Sequence, residues 1–411
     1  MTVVRTHGLV LVEHEFDIPL DHAGPDGERI TVFAREVADP GGRDRPFLVF
    51  FQGGPGMESP RPTRHPSTPG WLERALSEFR VLLLDQRGTG RSTPVGALTG
   101  RSPQEQADYL SHFRADSIVR DAEFIRRALG VDEWSILGQS FGGFCAATYL
   151  SIAPEGLREA LFTGGVPPIG EPVDNIYRAT YERMLDRCRR YYRRYPADRD
   201  RVRALHEWIS AEEVRLPNGD RLTWRRFQQL GNHLGMSDGA EILHYTLELP
   251  KDSPAFLADV QSRLPFPARN PLYTVIHEAS YADGGTSGWS AQRVRPAEYD
   301  ADPTLFTAEH VYPGQLTDIT GLTPLRDAAE LLANREWPRL YDEERLRDNE
   351  VPCAAAIYAD DLYVERRYSE RTASQIRGMR PWVTNEYEHN GLRADGGRIL
   401  GRLLDLARGR R

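Results

Sequence analysis

The residues with the clearest chemistry are Gly138-Gln-Ser-Phe-Gly142. An apolar run, Trp134 to Leu137, leads into them, and a helix-forming run, Phe144 to Leu150, follows. Gly-x-Ser-x-Gly between a strand and a helix is the pattern of a nucleophile elbow. The serine sits on a sharp, strained turn, and side chains two residues to either side would collide, which leaves glycine there. Such a turn lifts the Ser140 hydroxyl above the carboxyl end of a sheet. It also aims the Phe141 N–H, at the start of the helix, toward an oxyanion forming on an attacked carbonyl.

A serine hydroxyl is a poor nucleophile at neutral pH. It needs an imidazole to accept its proton and a carboxylate to orient that imidazole. With the serine on a strand–helix elbow, the chain order is Ser, then acid, then His, each after a strand. Asp360 and Asp361 follow the run 352–358, and His389 follows the run 381–387. Of the 11 histidines, His389 is the last and the only one beyond the aspartate pair. A strand alternates its sides, so one of the two aspartates faces His389. Asp361 is preferred as the acid, with Asp360 holding the loop and remaining the alternative. A second oxyanion donor is expected from Gln52-Gly-Gly-Pro-Gly56, which follows the apolar run 46–51. Gly53 and Gly54 let backbone N–H groups approach a ligand closely.

These side chains need elements to hold them. The runs 46–51 and 80–85 are continuously apolar, as strands buried on both faces are. The runs 9–18 and 30–37 read as an antiparallel hairpin at a sheet edge, joined by a breaker-rich turn. A helix is expected over 117–129, with Ser117 as its N-cap and Gly130 as its stop. A further strand follows at 157–163. Strands alternating with helices predict an α/β fold with a mostly parallel central sheet. From 167 to 322 that rhythm breaks. Helical runs at 177–195, 200–214, 224–234 and 237–249, rich in Arg, Tyr and Trp, predict an inserted helical cap over the carboxyl edge of the sheet. The core is then split into residues 1–166 and 323–411, and its second part ends in a helix over 396–407. The loop Gln86 to Ser92 lacks the Gly-Lys-Ser/Thr ending of a phosphate-binding loop. Its Arg87 and Arg91 are expected to brace neighbouring loops, with a substrate contact as the alternative.

Composition narrows the classes. At 411 residues the chain can hold a large core with an insertion. The formal net charge of −8 comes with no basic block to track phosphates, so no nucleic-acid partner is expected. Cys145, Cys188 and Cys353 are widely spaced, offer no metal-ligand spacing, and suit a reducing compartment. The stretch Met1 to His7 has no apolar core of a signal peptide. No run approaches the ~20 apolar residues of a membrane helix. The expectation is a cytoplasmic protein with no membrane partner, no metal and no cofactor.

Taken together, Gly53-Gly-Pro-Gly56, Asp85-Gln-Arg-Gly-Thr-Gly-Arg-Ser92, Gly138-Gln-Ser-Phe-Gly-Gly143 and the late Asp361 and His389 resemble the proline iminopeptidase (prolyl aminopeptidase) family of α/β-hydrolases. The likeness spans the core on both sides of the insertion. It departs at Gln52, where the family has His, and at Tyr358-Ala-Asp-Asp361, where it has Gly-Arg-Tyr-Asp. The resemblance implies release of an N-terminal residue, typically proline, from a peptide with a free N-terminus. It also implies cap carboxylates that hold the amine. Glu278, in Ile276-His-Glu-Ala-Ser-Tyr281, and Glu309, in Phe306-Thr-Ala-Glu-His-Val-Tyr312, are the candidates. Phe141, Tyr281 or Tyr312 would wall the prolyl ring. The alternative is an esterase or amidase acting on a small neutral substrate, which would not need paired amine-binding acids. An epoxide hydrolase would carry Asp at the elbow, and a degenerate binding protein would lack a triad member.

Overall fold

The computed structural model describes residues 2–6 and 8–410. Met1 and His7, which bound the stretch read for a leader, lie outside the described residues. The strands are β1 (Thr2–Thr6), β2 (Leu9–Pro19), β3 (Arg29–Ala38), β4 (Phe47–Phe51), a two-residue hairpin of β5 (Thr63–Arg64) and β6 (Ser67–Thr68), β7 (Arg80–Leu84), β8 (Trp134–Gln139), β9 (Leu157–Thr163), β10 (Cys353–Tyr358) and β11 (Met379–Thr384). Nine of them form one sheet in the order β1-β2-β3-β7-β4-β8-β9-β10-β11. The pairs from β1 to β7 are antiparallel, and every pair from β7 to β11 is parallel. The expected edge hairpin of β2 and β3 is present but lies one strand in. β1 covers it through pairs such as Val3 with Val12.

The period of two in the strands decides the layers. Phe47, Val49 and Phe51 of β4 face one helical layer. It holds α3 (Ala115–Ala128) and α4 (Phe141–Ile152), through residues such as Ile118, Ile125 and Ala146. Leu48 and Phe50 face the other layer, made by α1 (Leu72–Leu76) and the closing helix Gly396–Ala407, through Leu72, Leu76, Leu400 and Leu403. Both faces of the strand are therefore dry, which is why its sequence shows no alternation.

Helix ends differ from expectation where a polar residue was given a capping role. α3 begins at Ala115, after Arg114 in extended geometry, and Ser117 is buried inside its first turn. A capping box is found instead at α2 (Pro103–Leu110), formed by Ser102 and Glu105.

After β9 the chain forms helices and turns without a strand of the main sheet until β10. The longest helix is α5 (Val173–Arg194). The expected helix over 224–234 breaks after Gln228 into a 3-10 stretch, Gln229–Gly235. The stretch packs closely: a Cβ on Gly231 would lie 2.4 Å from Phe306 Cβ, and one on Gly235 would lie 2.4 Å from the Tyr363 ring. The segment leans on loops at the carboxyl ends of the strands. Asn270 donates to Gly56 O at 2.9 Å, and the buried Arg114 donates to Ala282 O at 2.9 Å. Among the described residues no helix is long and apolar enough to cross a membrane.

Candidate active site

The turn after β8 is as tight as its glycines suggest. Ser140 holds φ +53° and ψ −124°, a strained geometry for a residue with a side chain. A Cβ on Gly142 would sit 1.9 Å from Phe51 O, and one on Gly165 2.1 Å from Ser140 O. The elbow is thus wedged between the ends of β4 and β9, and no larger residue fits at those contacts.

Ser140, His389 and Asp361 form one hydrogen-bonded chain. The serine hydroxyl lies 3.0 Å from His389 Nε2, and His389 Nδ1–H donates to Asp361 Oδ2 at 2.7 Å. The other Asp361 oxygen accepts the backbone N–H groups of Tyr363 and Val364 at 2.8 and 3.1 Å. Of the two aspartates it is Asp361 that meets the imidazole. Asp360 turns outward to Arg190 at 3.0 Å. The Tyr363 ring meets His389 edge-on with centroids 4.6 Å apart. Gly164, at φ +55°, leaves room for the imidazole, since a Cβ there would lie 3.2 Å from Nδ1. Burial acts to lower the His389 pKa, but the charge and hydrogen bond of Asp361, with the charge of Glu309, outweigh it. The net direction is upward from the usual 6.5.

Of the two glycines named for the oxyanion, Gly53 is engaged elsewhere. Its N–H donates to Gln52 Oε1 at 2.9 Å. The acceptor is the glutamine that stands where the related family has histidine, and Gly53 itself lies against Ser140, where a Cβ on it would be 3.6 Å from the serine hydroxyl. Gly54 and Phe141 keep their backbone N–H groups as candidates. The Phe141 ring is buried beside Phe144.

The two glutamates occupy different settings. Glu309 is half-buried, accepts the Tyr273 hydroxyl, and lies close enough for its charge to act on His389. Burial pushes its pKa up to about 7, against the Tyr273 hydrogen bond and the neighbouring His389. Glu278 is buried, and its two oxygens accept the N–H groups of Ala291 and Ser290 at 2.9 and 2.8 Å. It so caps the short helix Ser290–Arg293 from 12 residues away. Burial raises its pKa to about 7 as well, partly opposed by those N–H groups. Both charges act on the buried Tyr177 hydroxyl, which has no hydrogen-bond partner among the described residues.

Tyr273 was not singled out from the sequence. Its signal was the spacing of Tyr273, His277 and Tyr281, four residues apart, which brings their rings together at centroid distances of 5.5 and 5.9 Å. Burial pushes the His277 pKa down to about 3, so that ring is neutral. Tyr281 packs edge-on against Phe144 and Tyr177. The Tyr312 hydroxyl is bound to that of Tyr181 at 2.7 Å. Arg87, as expected, braces loops: it is buried and grips Asp121, Leu20 O and His112 O. Among the described residues no group of His, Cys, Asp or Glu is arranged to hold a metal ion.

A serine on a strand–helix elbow, with acid and base after the last two strands of a mostly parallel sheet, defines the class of the α/β-hydrolases. Residues 46–391 match the family described as alpha/beta hydrolase fold. The chain is 48% identical over 421 aligned residues to a proline iminopeptidase of Aeromonas sobria, covering 98% of this chain and 97% of that one. It is 33% identical to a proline iminopeptidase of Aspergillus aculeatus, covering 96% and 93%. The chain belongs to the proline iminopeptidase family of α/β-hydrolases.

Proposed function

We propose that the protein is a serine aminopeptidase that releases an N-terminal residue, preferentially proline, from peptides with a free N-terminus. The observation that carries the reading is a hydrogen-bonded Ser140–His389–Asp361 chain whose imidazole feels the charge of the Glu309 carboxylate. Full-length likeness to proline iminopeptidases supports the choice of residue. Residues 167–322 act as the cap over this site. The substrate amine docks on Glu309, with the Glu278 carboxylate as the deeper counter-charge. A desolvated carboxylate gains most when a cation arrives to pair with it. Ser140 attacks the first carbonyl while His389 takes its proton, and Asp361 stabilises the imidazolium. The N–H groups of Phe141 and Gly54 receive the oxyanion. His389 then protonates the leaving amine, and water releases the acyl group from Ser140. Three buried, unpaired thiols at Cys145, Cys188 and Cys353 support a reducing, cytoplasmic setting.

Hydrolysis of proline β-naphthylamide, of its N-acetylated form and of a short acyl ester tests the reading. Cleavage of the free amine with the acetylated compound untouched is expected. Cleavage of the ester alone would retain a serine hydrolase and remove the aminopeptidase.

A further inference from the structure

Three arginines of α5, Arg183, Arg187 and Arg190, lie on one face at spacings of four and three residues. They reach from the helical segment onto the two loops that carry the acid and the base. Arg183 forks onto Glu365 at 2.6 and 2.9 Å. Arg190 meets the Asp360 carboxylate at 3.0 Å. Arg187 lies between them and does something neither neighbour does. Its two terminal nitrogens bind both oxygens of Glu388 at 2.8 Å each, and one also donates to the main-chain oxygen of Asp360 at 3.1 Å. Glu388 immediately precedes His389, and Asp360 immediately precedes Asp361.

We propose that Arg187 is a positioning residue that staples the acid loop to the base loop, making serine activation depend on the docking of α5. The proposal rests on reading Ser140, His389 and Asp361 as the triad. The need for a staple follows from the sheet. β10 and β11 are paired up to Tyr358 and Thr384, and one further bond, Ala359 N–H to Thr384 O at 2.8 Å, extends the ladder. His389 lies well beyond that last bond, so the sheet no longer sets its distance to Asp361. A planar guanidinium fork fixes direction as well as distance, which a point charge does not. The pair is also largely shielded from water, with side-chain exposures of 16% for Arg187 and 22% for Glu388, so solvent screens it less than a surface bridge. Other ties share the load. Gly235 O accepts the His389 N–H at 3.1 Å, and Ser237 donates to Asn390 at 2.8 Å. Each of these holds the base loop alone. Loss of Arg187 should therefore loosen the triad rather than abolish it.

The test compares Arg187→Met, Glu388→Gln, the double variant, Arg187→Lys and Arg190→Met with the wild type. The readouts are kcat and KM on proline β-naphthylamide, and the rate at which a neutral fluorophosphonate labels Ser140. Arg187→Met and Glu388→Gln are each expected to lower kcat and the labelling rate by about tenfold to about a hundredfold, the scale of a sub-ångström to 1 Å misplacement. KM should change little. The double variant should lose no more than Arg187→Met alone, because that substitution already removes the contact that Glu388→Gln weakens. Arg187→Lys should recover only part of the loss, and Arg190→Met, whose pair is exposed and touches the acid loop alone, should stay near wild type. The groups acting on His389 are Asp361, Glu309 and Arg393, with Tyr363 on its ring. Asp361 raises the His389 pKa, so loosening that contact should move the acid limb of the labelling rate to lower pH.

Wild-type kcat, labelling rate and acid limb in Arg187→Met overturn the proposal, even if its melting temperature falls. So do losses that simply add in the double variant. Should Arg187→Met fail to fold, Glu388→Gln carries the same test from the loop side. Wild-type protein that fluorophosphonate does not label at Ser140 would overturn the triad reading itself. Wild-type labelling that Arg187→Met leaves unchanged would overturn the staple alone.

Discussion

β4 and β7 bury Phe, Leu and Val at the centre of the sheet, while the helical segment buries Glu278, His277, His310, Tyr177, Tyr181 and Tyr312. The two interiors obey different physics. In the sheet, apolar side chains alternate between two dry layers, and contact distance decides what fits. In the segment, ionisable groups are held out of water, and burial moves their pKa values. Glu278 and Glu309 rise to about 7, and His277 and His310 fall to about 3. The sheet can thus lift a serine and its partners without selecting any substrate. The segment carries two carboxylates with pKa values near 7, whose ionisation a neighbouring cation would favour. The comparison predicts that substitutions in the sheet-borne triad will disable every substrate, whereas substitutions in the segment will separate charged from neutral ones.

The largest effect is expected from Ser140→Ala. Turnover of both proline β-naphthylamide and a short ester should fall by a factor on the order of 10^4 or more. The far-UV circular dichroism and melting temperature should match wild type, because the elbow is held by glycine contacts and not by the hydroxyl. Asp361→Asn should follow, at roughly 10^3 to 10^4 in kcat, since an amide no longer sets the imidazole tautomer. Retained ester turnover in either variant would break the claim that the sheet serves all substrates alike.

The same contrast explains what could be read from the sequence. β4, β7 and the elbow were legible because a strand dry on both faces must be continuously apolar, and because the turn admits only glycine at two positions. Asp361 was legible in part. Strand alternation left two aspartates, and the two backbone N–H groups that hold the Asp361 carboxylate, those of Tyr363 and Val364, are seen only in the folded loop. The segment was less so. Nothing near Glu278 in the sequence marks Ser290 and Ala291 as its partners, because they meet only in three dimensions. The close packing of Gly231 on Phe306 and of Gly235 on Tyr363, and the bond from Gly53 N–H to Gln52, likewise appear only in three dimensions. Ser117 shows the limit of local patterns: a good capping residue went into a helix interior because Arg114 and Ala115 turned the chain first.

A smaller and more selective effect is expected from Glu309→Gln. Removing one partner of a desolvated charge pair costs roughly 3 kcal/mol, or about a hundredfold in kcat/KM for the free amine. The ester should be hydrolysed within a few-fold of wild type. The pH dependence has a definite sign. Glu309 must be ionised to hold an ammonium and His389 neutral to accept a proton, so peptide activity should fall as pH drops through about 7. Glu309 also raises the His389 pKa, so the acid limb of ester hydrolysis should move to lower pH in Glu309→Gln. Equal losses on amine and ester would place Glu309 with the triad and erase the contrast between the two regions.

The smallest effect sharpens the contrast most, because it changes one hydrogen bond and no charge. The Tyr273 hydroxyl donates to Glu309 and holds its pKa down against burial. Tyr273→Phe leaves the ring among His277 and Phe266 but removes that donor. The Glu309 pKa should then rise above about 7, and the carboxylate should be protonated over more of the neutral range. Peptide turnover at pH 7 should fall several-fold and recover toward wild type by about pH 9, where the carboxylate is ionised in both proteins. Ester turnover should keep its wild-type pH profile apart from the weak influence of Glu309 on His389. A loss that persists at high pH would mean that Tyr273 positions the substrate and does not tune the acid, and buried charge would then cease to be the segment's contribution at that residue.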